Sequence, residues 1–347
     1  MINNYVAYLV VFKILISSLI LCFFSIFLGW DMFKYPDFYS TYNKCSEYSS
    51  NILYGELFCS INSITGKDFT HKSIVFMLIA GVLNMLLLVG YFKIFQKYLS
   101  QYGKYLFIIL LVLHPYMGVY FFRFYTDLFA SIGIFLITYY VMNNKRMDTF
   151  FIISSLILIN FRVALIPVFF IYSLIEIYKQ FNKNESIFIP IILFIFLIIS
   201  LMQVIGFSIG FAQINSDVFI LEKISYNFIF TFGFREAFVG VFREAFWSGD
   251  PLIISPDNPA IFIAEFKTLD YLSIYVSILL LFVHIIGLFG IIKFSIKNNI
   301  YNLLILFTYI CVPLVSIGHM RYLLPLMPIL LFGFSYMFIK NNKINIR

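Results

Sequence analysis

Apolar runs separated by short polar gaps fill most of the chain. Long runs cover residues 8–28, 73–92, 105–122, 127–142, 187–210, 271–292, 300–317 and 322–339. Each is close to the roughly 20 residues a helix needs to cross about 30 Å of hydrocarbon. The run at 149–179 is different. As one helix it would be about 45 Å long, too long for that core without strong tilt. Arg162 and Pro167 sit in its middle, and a proline inside a helix breaks or kinks it. The pattern therefore predicts two short segments, 150–161 and 163–178, entering and returning on one side. Such half-helices are tolerated where the broken backbone lines a cavity.

Two longer polar stretches remain, 29–72 and 211–270. The second holds Phe219, Phe228, Phe238 and Trp247 among other aromatics, which predicts interfacial amphipathic helix. Within it Phe234-Arg235-Glu236-Ala237-Phe238 recurs as Phe242-Arg243-Glu244-Ala245-Phe246. That spacing sets Arg235 and Arg243 about 80° apart on a helix, so both can face one cavity. The expected fold is an all-α polytopic integral membrane protein with about ten transmembrane or half-membrane helices and two long outward loops. The whole chain reads as a single transmembrane domain.

Composition turns this from a pattern into a class. The chain is 62% hydrophobic and 12% charged, with a mean hydropathy of +0.94; a soluble domain is about 25% charged, so an aqueous globular fold is excluded. The net charge of +7 points to orientation, not to nucleic acid, because the basic residues fall in short gaps between apolar runs. With a hairpin at 150–178, the groups Lys179/Lys183, Lys293/Lys297 and Lys340/Lys343/Arg347 share the side of Lys93–Lys104. With a single helix there, the last two groups would move outward, against the positive-inside rule. The hairpin is preferred, and both termini are expected in the cytoplasm. The first run has no small-residue cleavage site after it and is expected to be retained. Of four cysteines, Cys22 and Cys311 lie in apolar runs. Cys45 and Cys59 share the first polar loop, where a disulfide and two free thiols are both open readings.

Ionisable residues in this apolar background ask for a reason. The stretch from His114 to Asp127 carries His114, Arg123 and Asp127. Arg123 and Asp127 are spaced i, i+4 and can pair on a helix; alternatively Arg123 holds a phosphate with its planar fork. His114 reads as a helix-end residue bonded to backbone, or as catalytic. Arg162, at the hairpin tip, meets an anionic ligand or Asp127 across the bundle. His319 and Arg321 open the last helix; Arg321 is either a snorkelling interface residue or part of an anion site. His284, alone in an apolar run, reads as a satisfied bundle histidine. Asp31 and Asp37, after the first run, are solvated loop acids, or else a general base or a metal ligand near the membrane edge. No nucleotide-binding, metalloprotease or serine-hydrolase signature is present. The anionic substrate that suits an outward, membrane-level site is a lipid-linked phosphate.

At these residues the chain resembles a family. An outer-loop aspartate (Asp37 or Asp31), His114-Pro115 followed by Arg123 and Asp127, then Arg162, then Arg321-Tyr322-Leu323-Leu324-Pro325 resemble membrane-embedded glycosyltransferases of the C superfamily. The order Asp37, Arg123, Arg162, Arg321 is also similar to that of EpsG-type and Wzy-type polymerases of bacterial O-antigen and capsular polysaccharide. Two features depart from the pattern: the first loop lacks paired acids at the helix end, and no histidine follows the hairpin. The resemblance implies polymerisation of undecaprenyl-diphosphate-linked repeat units at the periplasmic face of the inner membrane. Arg123, Arg162, Arg321, Arg235 and Arg243 would bind phosphate, and Asp37, Asp31 or His319 would act as base, with Asp127 and His114 supporting. It implies no cofactor and no metal; the partners are the lipid-linked saccharide, membrane lipid and, in the same pathway, a chain-length regulator and a flippase. Alternatives are a glycosyltransferase using a polyprenyl-monophosphate donor and, in another class, a flippase of lipid-linked saccharides.

Overall fold

The computed structural model describes residues 3–28, 69–122, 124, 126–212, 268–298, 301–315 and 320–338. All regular structure among them is helical: α1 (Asn3–Leu28), α2 (Phe69–Phe95), α3 (Gln101–Leu113), α4 (Pro115–Val119), α5 (Thr126–Met142), α6 (Thr149–Phe161), α7 (Ile166–Asn182), α8 (Phe188–Ala212), α9 (Thr268–Asn298), α10 (Tyr301–Val315) and α11 (Met327–Met337). Short 3-10 turns follow α2 (Gln96–Tyr98) and precede α7 (Val163–Leu165), and a longer one, Met320–Leu326, leads into α11. Three helical stretches are long and apolar enough to cross a membrane among the described residues: Phe76–Tyr98, Val163–Asn182 and Ile278–Asn298.

Local chemistry sets where these helices begin. The Ser100 hydroxyl accepts from the Gly103 amide at 3.1 Å, and Asp148 Oδ1 accepts from the Phe151 amide at 2.8 Å; each satisfies a donor that a helix start leaves orphaned. Several prolines sit in first turns, where their missing N–H has no partner to lose. Pro115 is the first residue of α4, and Pro167 and Pro328 stand at the first turns of α7 and α11. The run expected as one helix over 105–122 is divided: α3 stops at Leu113, and His114 is extended (φ −60°, ψ 114°), as a residue before proline prefers.

The predicted hairpin is present. α6 ends at Phe161, and Arg162 is extended (φ −149°, ψ 99°). The Phe151 ring then packs against Phe169 at 5.7 Å and Tyr172 at 5.1 Å. On one straight helix residues 151 and 169 would lie about 27 Å apart, so the chain has doubled back. Arg146, before α6, forms an ion pair with Glu185, after α7, which puts both ends of the hairpin at one end of the bundle.

The basic turns gather at that same end. Tyr98 meets Phe294 at 5.0 Å, and Phe294 meets Tyr336 at 5.3 Å. Lys179 lies 4.6 Å from the centre of the Tyr301 ring. Phe95, Met142 and Phe294 border one small void, joining the ends of α2, α5 and α9. Tyr5 touches Tyr105 at 5.1 Å, so α1 starts there too. The opposite end receives the α3–α5 corner and the hairpin tip.

The bundle is apolar outside and mixed inside. On α1, Val11, Phe12, Leu15 and Leu19 are exposed, whereas Leu9, Lys13 and Ser17 are buried. Helices α9 and α11 cross in direct backbone contact. A Cβ on Gly287 or Gly290 would strike the backbone carbonyl of Leu330 or Gly333 respectively. Small residues allow helices in a membrane to approach this closely.

Candidate functional site

Asp127 and Arg162 form a buried ion pair where the hairpin tip meets the start of α5. Arg162 Nη2 lies 3.0 Å from Asp127 Oδ1, with their side chains 12% and 2% exposed. Arg162 Nη1 donates to the Thr126 hydroxyl at 3.2 Å. Because Asp127 occupies the first turn of α5, the positive end of that helix favours its charge as well. The hairpin is drawn in by packing: Phe129 stacks on Phe161 at 4.1 Å, and Leu165 lies against Gly133, where a Cβ would collide with it.

Depth follows from α2. Asn84 Nδ2 donates to the Phe121 carbonyl at 2.8 Å, in the non-helical link between α4 and α5. Asn84 is roughly 16 Å along the axis from Phe95, so the link lies well inside the span Phe76–Tyr98. Beside it is a cavity of about 50 Å³ lined by Asn84, Tyr91, Tyr120, Phe121, Asp127 and Ser131, among others. That is room for a few water molecules. It can admit polar headgroup atoms beside the pair, whereas a whole saccharide needs the outward side.

A second polar cluster lies across Phe121. His114 caps α3 and then turns into α4: its Nδ1 accepts from the Met117 amide at 3.3 Å, and its carbonyl accepts from the Gly118 amide at 3.0 Å. With Nδ1 accepting, the ring proton is assigned to Nε2. That proton points at His284 Nε2, 3.1 Å away. His284 then carries its own proton on Nδ1, which has no hydrogen-bond partner among the described residues. Lys13, fully buried, donates to the Leu111 and Val112 carbonyls at 3.0 and 3.4 Å. It lies 5.9 Å from the centre of the Phe121 ring.

The expected site residues thus separate. Asp127 and Arg162 come together across the bundle, one of the two readings Arg162 carried. α5 begins at Thr126, and the other expected partner of Asp127, Arg123, lies outside the described residues. His114 is the helix-end residue bonded to backbone, and His284 is its partner. Arg321 lies within the 3-10 segment Met320–Leu326. Arg123, Asp31, Asp37, His319, Arg235 and Arg243 lie outside the described residues, as do Cys45, Cys59 and residues 29–68 and 213–267 of the two long loops; the ends of those loops belong to α2, α8 and α9. Asn84, Thr126 and the buried placement of Lys13 were not foreseen. Their signal was faint: single polar residues inside apolar runs.

No protein-family profile, curated protein or solved structure matches this chain.

Proposed function

We propose that the chain is a membrane-embedded glycosyltransferase of the polysaccharide-polymerase type, joining undecaprenyl-diphosphate-linked repeat units into O-antigen or capsular polysaccharide. It would sit in the bacterial inner membrane through about ten transmembrane or half-membrane helices, with the basic turns and both termini in the cytoplasm. The observation that carries the reading is the buried Asp127–Arg162 pair beside a small, mostly apolar cavity that Asp127, Asn84 and Ser131 border, on the side of the bundle away from the basic turns. An arginine at that depth, steered by a carboxylate and a threonine, suits a diphosphate headgroup entering from lipid.

In the proposed step the acceptor sugar's hydroxyl oxygen forms the new bond to the donor's anomeric carbon, while that carbon's bond to the diphosphate oxygen breaks. The departing diphosphate takes the bonding electrons, and Arg162 stabilises the charge that develops. The acceptor proton passes to a carboxylate or imidazole at the outer edge, the role expected of Asp37, Asp31 or His319. Asp127 holds the guanidinium in place. No nucleotide is required, because the activated bond resides in the lipid-linked donor.

Deletion in the native host, read as surface glycan on a gel, tests this. Single-unit caps without a ladder are expected. An intact ladder lacking one branch sugar would assign a single-sugar transferase instead. Loss of all glycan with lipid-linked units retained inside would assign a flippase, a reading that the broken α3–α4–α5 backbone also fits.

A further inference from the structure

The cavity beside the Asp127–Arg162 pair is lined by hydrogen-bond acceptors. Asp127 is its charged lining residue among those described, and an ionised carboxylate accepts hydrogen bonds and donates none. The Ser131 hydroxyl donates to the Asp127 backbone carbonyl at 2.9 Å, which leaves its oxygen to accept. Asn84 spends an amide hydrogen on the Phe121 carbonyl, and Oδ1 is the acceptor end of that amide. Phosphate oxygens are poor guests among such groups, whereas an N–H or O–H donor suits them. Leu87, Leu88 and Leu128 line the same space. A guest that fills it must therefore carry an apolar end as well as a donor.

Size narrows the choice. A cavity of about 50 Å³, at roughly 10–15 Å³ for each water-sized group, holds about four such groups. A sugar ring is far larger. An acetamido group matches, with its nitrogen, carbonyl carbon, carbonyl oxygen and methyl. Its N–H suits the Asp127 carboxylate and its methyl suits the leucines. Its carbonyl suits the hydroxyls of Tyr91 and Tyr120, which also line the cavity. A lone hydroxyl would make the first bond and leave most of the void unfilled.

We infer that the cavity is a specificity subsite for an acylamino substituent on carbon 2 of the sugar that bears the diphosphate. This rests on the proposed function, with the diphosphate held by Arg162. Carbon 2 is bonded to the anomeric carbon, so its substituent lies beside the oxygen that leaves with the diphosphate. Arg162 Nη2 and Asp127 Oδ1 are 3.0 Å apart. A phosphate against the guanidinium thus brings the carbon-2 substituent to the carboxylate, while the ring and the rest of the saccharide stay on the outward side. A carboxylate accepts several hydrogen bonds at once, so its contact with Arg162 leaves capacity for the amide. The sugar is then read next to the bond that breaks.

The test is calorimetric titration of the full-length protein in lipid nanodiscs with the farnesyl diphosphates of N-acetylglucosamine, N-acetylgalactosamine, glucose and galactose. In at least one ring configuration the acetamido compound should bind about tenfold or more tighter than its hydroxyl counterpart, the worth of one hydrogen bond to a charged acceptor. Ser131→Leu narrows the cavity from α5 and Leu88→Phe narrows it from α2; each should erase that preference. Equal affinities for acetamido and hydroxyl compounds in both configurations would overturn the inference and leave the polymerase reading standing, as would a preference that survives both substitutions. If the wild-type protein binds none of the four, the proposed function falls and takes this inference with it.

Discussion

Substituting Asn for Asp127 keeps the shape of the side chain and removes its charge, leaving Arg162 cationic at a site where its side chain is 12% exposed. With opposite charges about 4 Å apart and an effective dielectric constant near 20, the lost attraction is about 4 kcal/mol. Removing one member of a buried pair costs about 3–5 kcal/mol by experience, since the survivor stays desolvated. Replacing both, as Asp127→Leu with Arg162→Met, removes the attraction and the desolvation cost together, and stability should return to within about 1 kcal/mol of wild type. SDS titration in mixed micelles, followed by circular dichroism, measures these values. Glycan polymerisation by the same variants gives a separate readout, and the double variant should fold yet make no ladder. An Asp127→Asn protein within about 0.5 kcal/mol of wild type would refute a buried, mutually dependent pair. A stable double variant with a normal ladder would leave the pair structural and remove the phosphate site.

Other outcomes follow from the same contacts. Asn84→Leu leaves the Phe121 carbonyl without its 2.8 Å donor and should cost about 1–3 kcal/mol in the same titration. His284→Leu removes the acceptor for His114 Nε2 at a similar cost of about 1–3 kcal/mol, and the double variant with His114→Phe should lose less than the sum of the singles. Gly290→Ala drives a methyl group into the Gly333 carbonyl. No rotamer relieves that, so a loss of at least the roughly 1–3 kcal/mol of an overpacked core is expected. After all four cysteines (Cys22, Cys45, Cys59 and Cys311) are replaced, single cysteines at Lys145, Lys183 and Lys297 should react with an impermeant maleimide only from the cytoplasmic side; labelling of any one from outside breaks the shared-end arrangement.

Legibility in the sequence varied with the range of each interaction. Proline and charge act locally or through simple parity, so Pro167 and the lysine gaps were enough to predict the fold-back at Arg162. The break at His114 was equally readable, since Pro115 restrains the residue before it. The apolar run on either side outweighed that signal, and one helix over 105–122 was expected. The partner of Asp127 was a long-range matter. Spacing offered Arg123, and the lack of an acid near Arg162 offered Arg162 as one of two readings; the packed hairpin shows the contact with Arg162. Lys13 and Asn84 were plain in the sequence as polar residues in apolar runs, yet their contacts are carbonyls elsewhere in the chain, which no local pattern reveals.

Those carbonyls bear on which residues form the site. Every break in a membrane helix leaves backbone groups that hydrocarbon cannot satisfy, so a polar side chain near a break is first a candidate cap. Asn84 serves Phe121, Lys13 serves Leu111 and Val112, and His114 serves Met117. For Arg162 the described contacts are of another kind: its guanidinium meets the side chains of Asp127 and Thr126. The hairpin tip turns at the extended backbone of Arg162, with Pro167 in the turn that follows. Leucine at Asp127 and methionine at Arg162 would leave those backbone features intact and pack better in lipid. Under the proposed function both charges are kept at that depth for the diphosphate, and Asp127 borders the adjoining cavity.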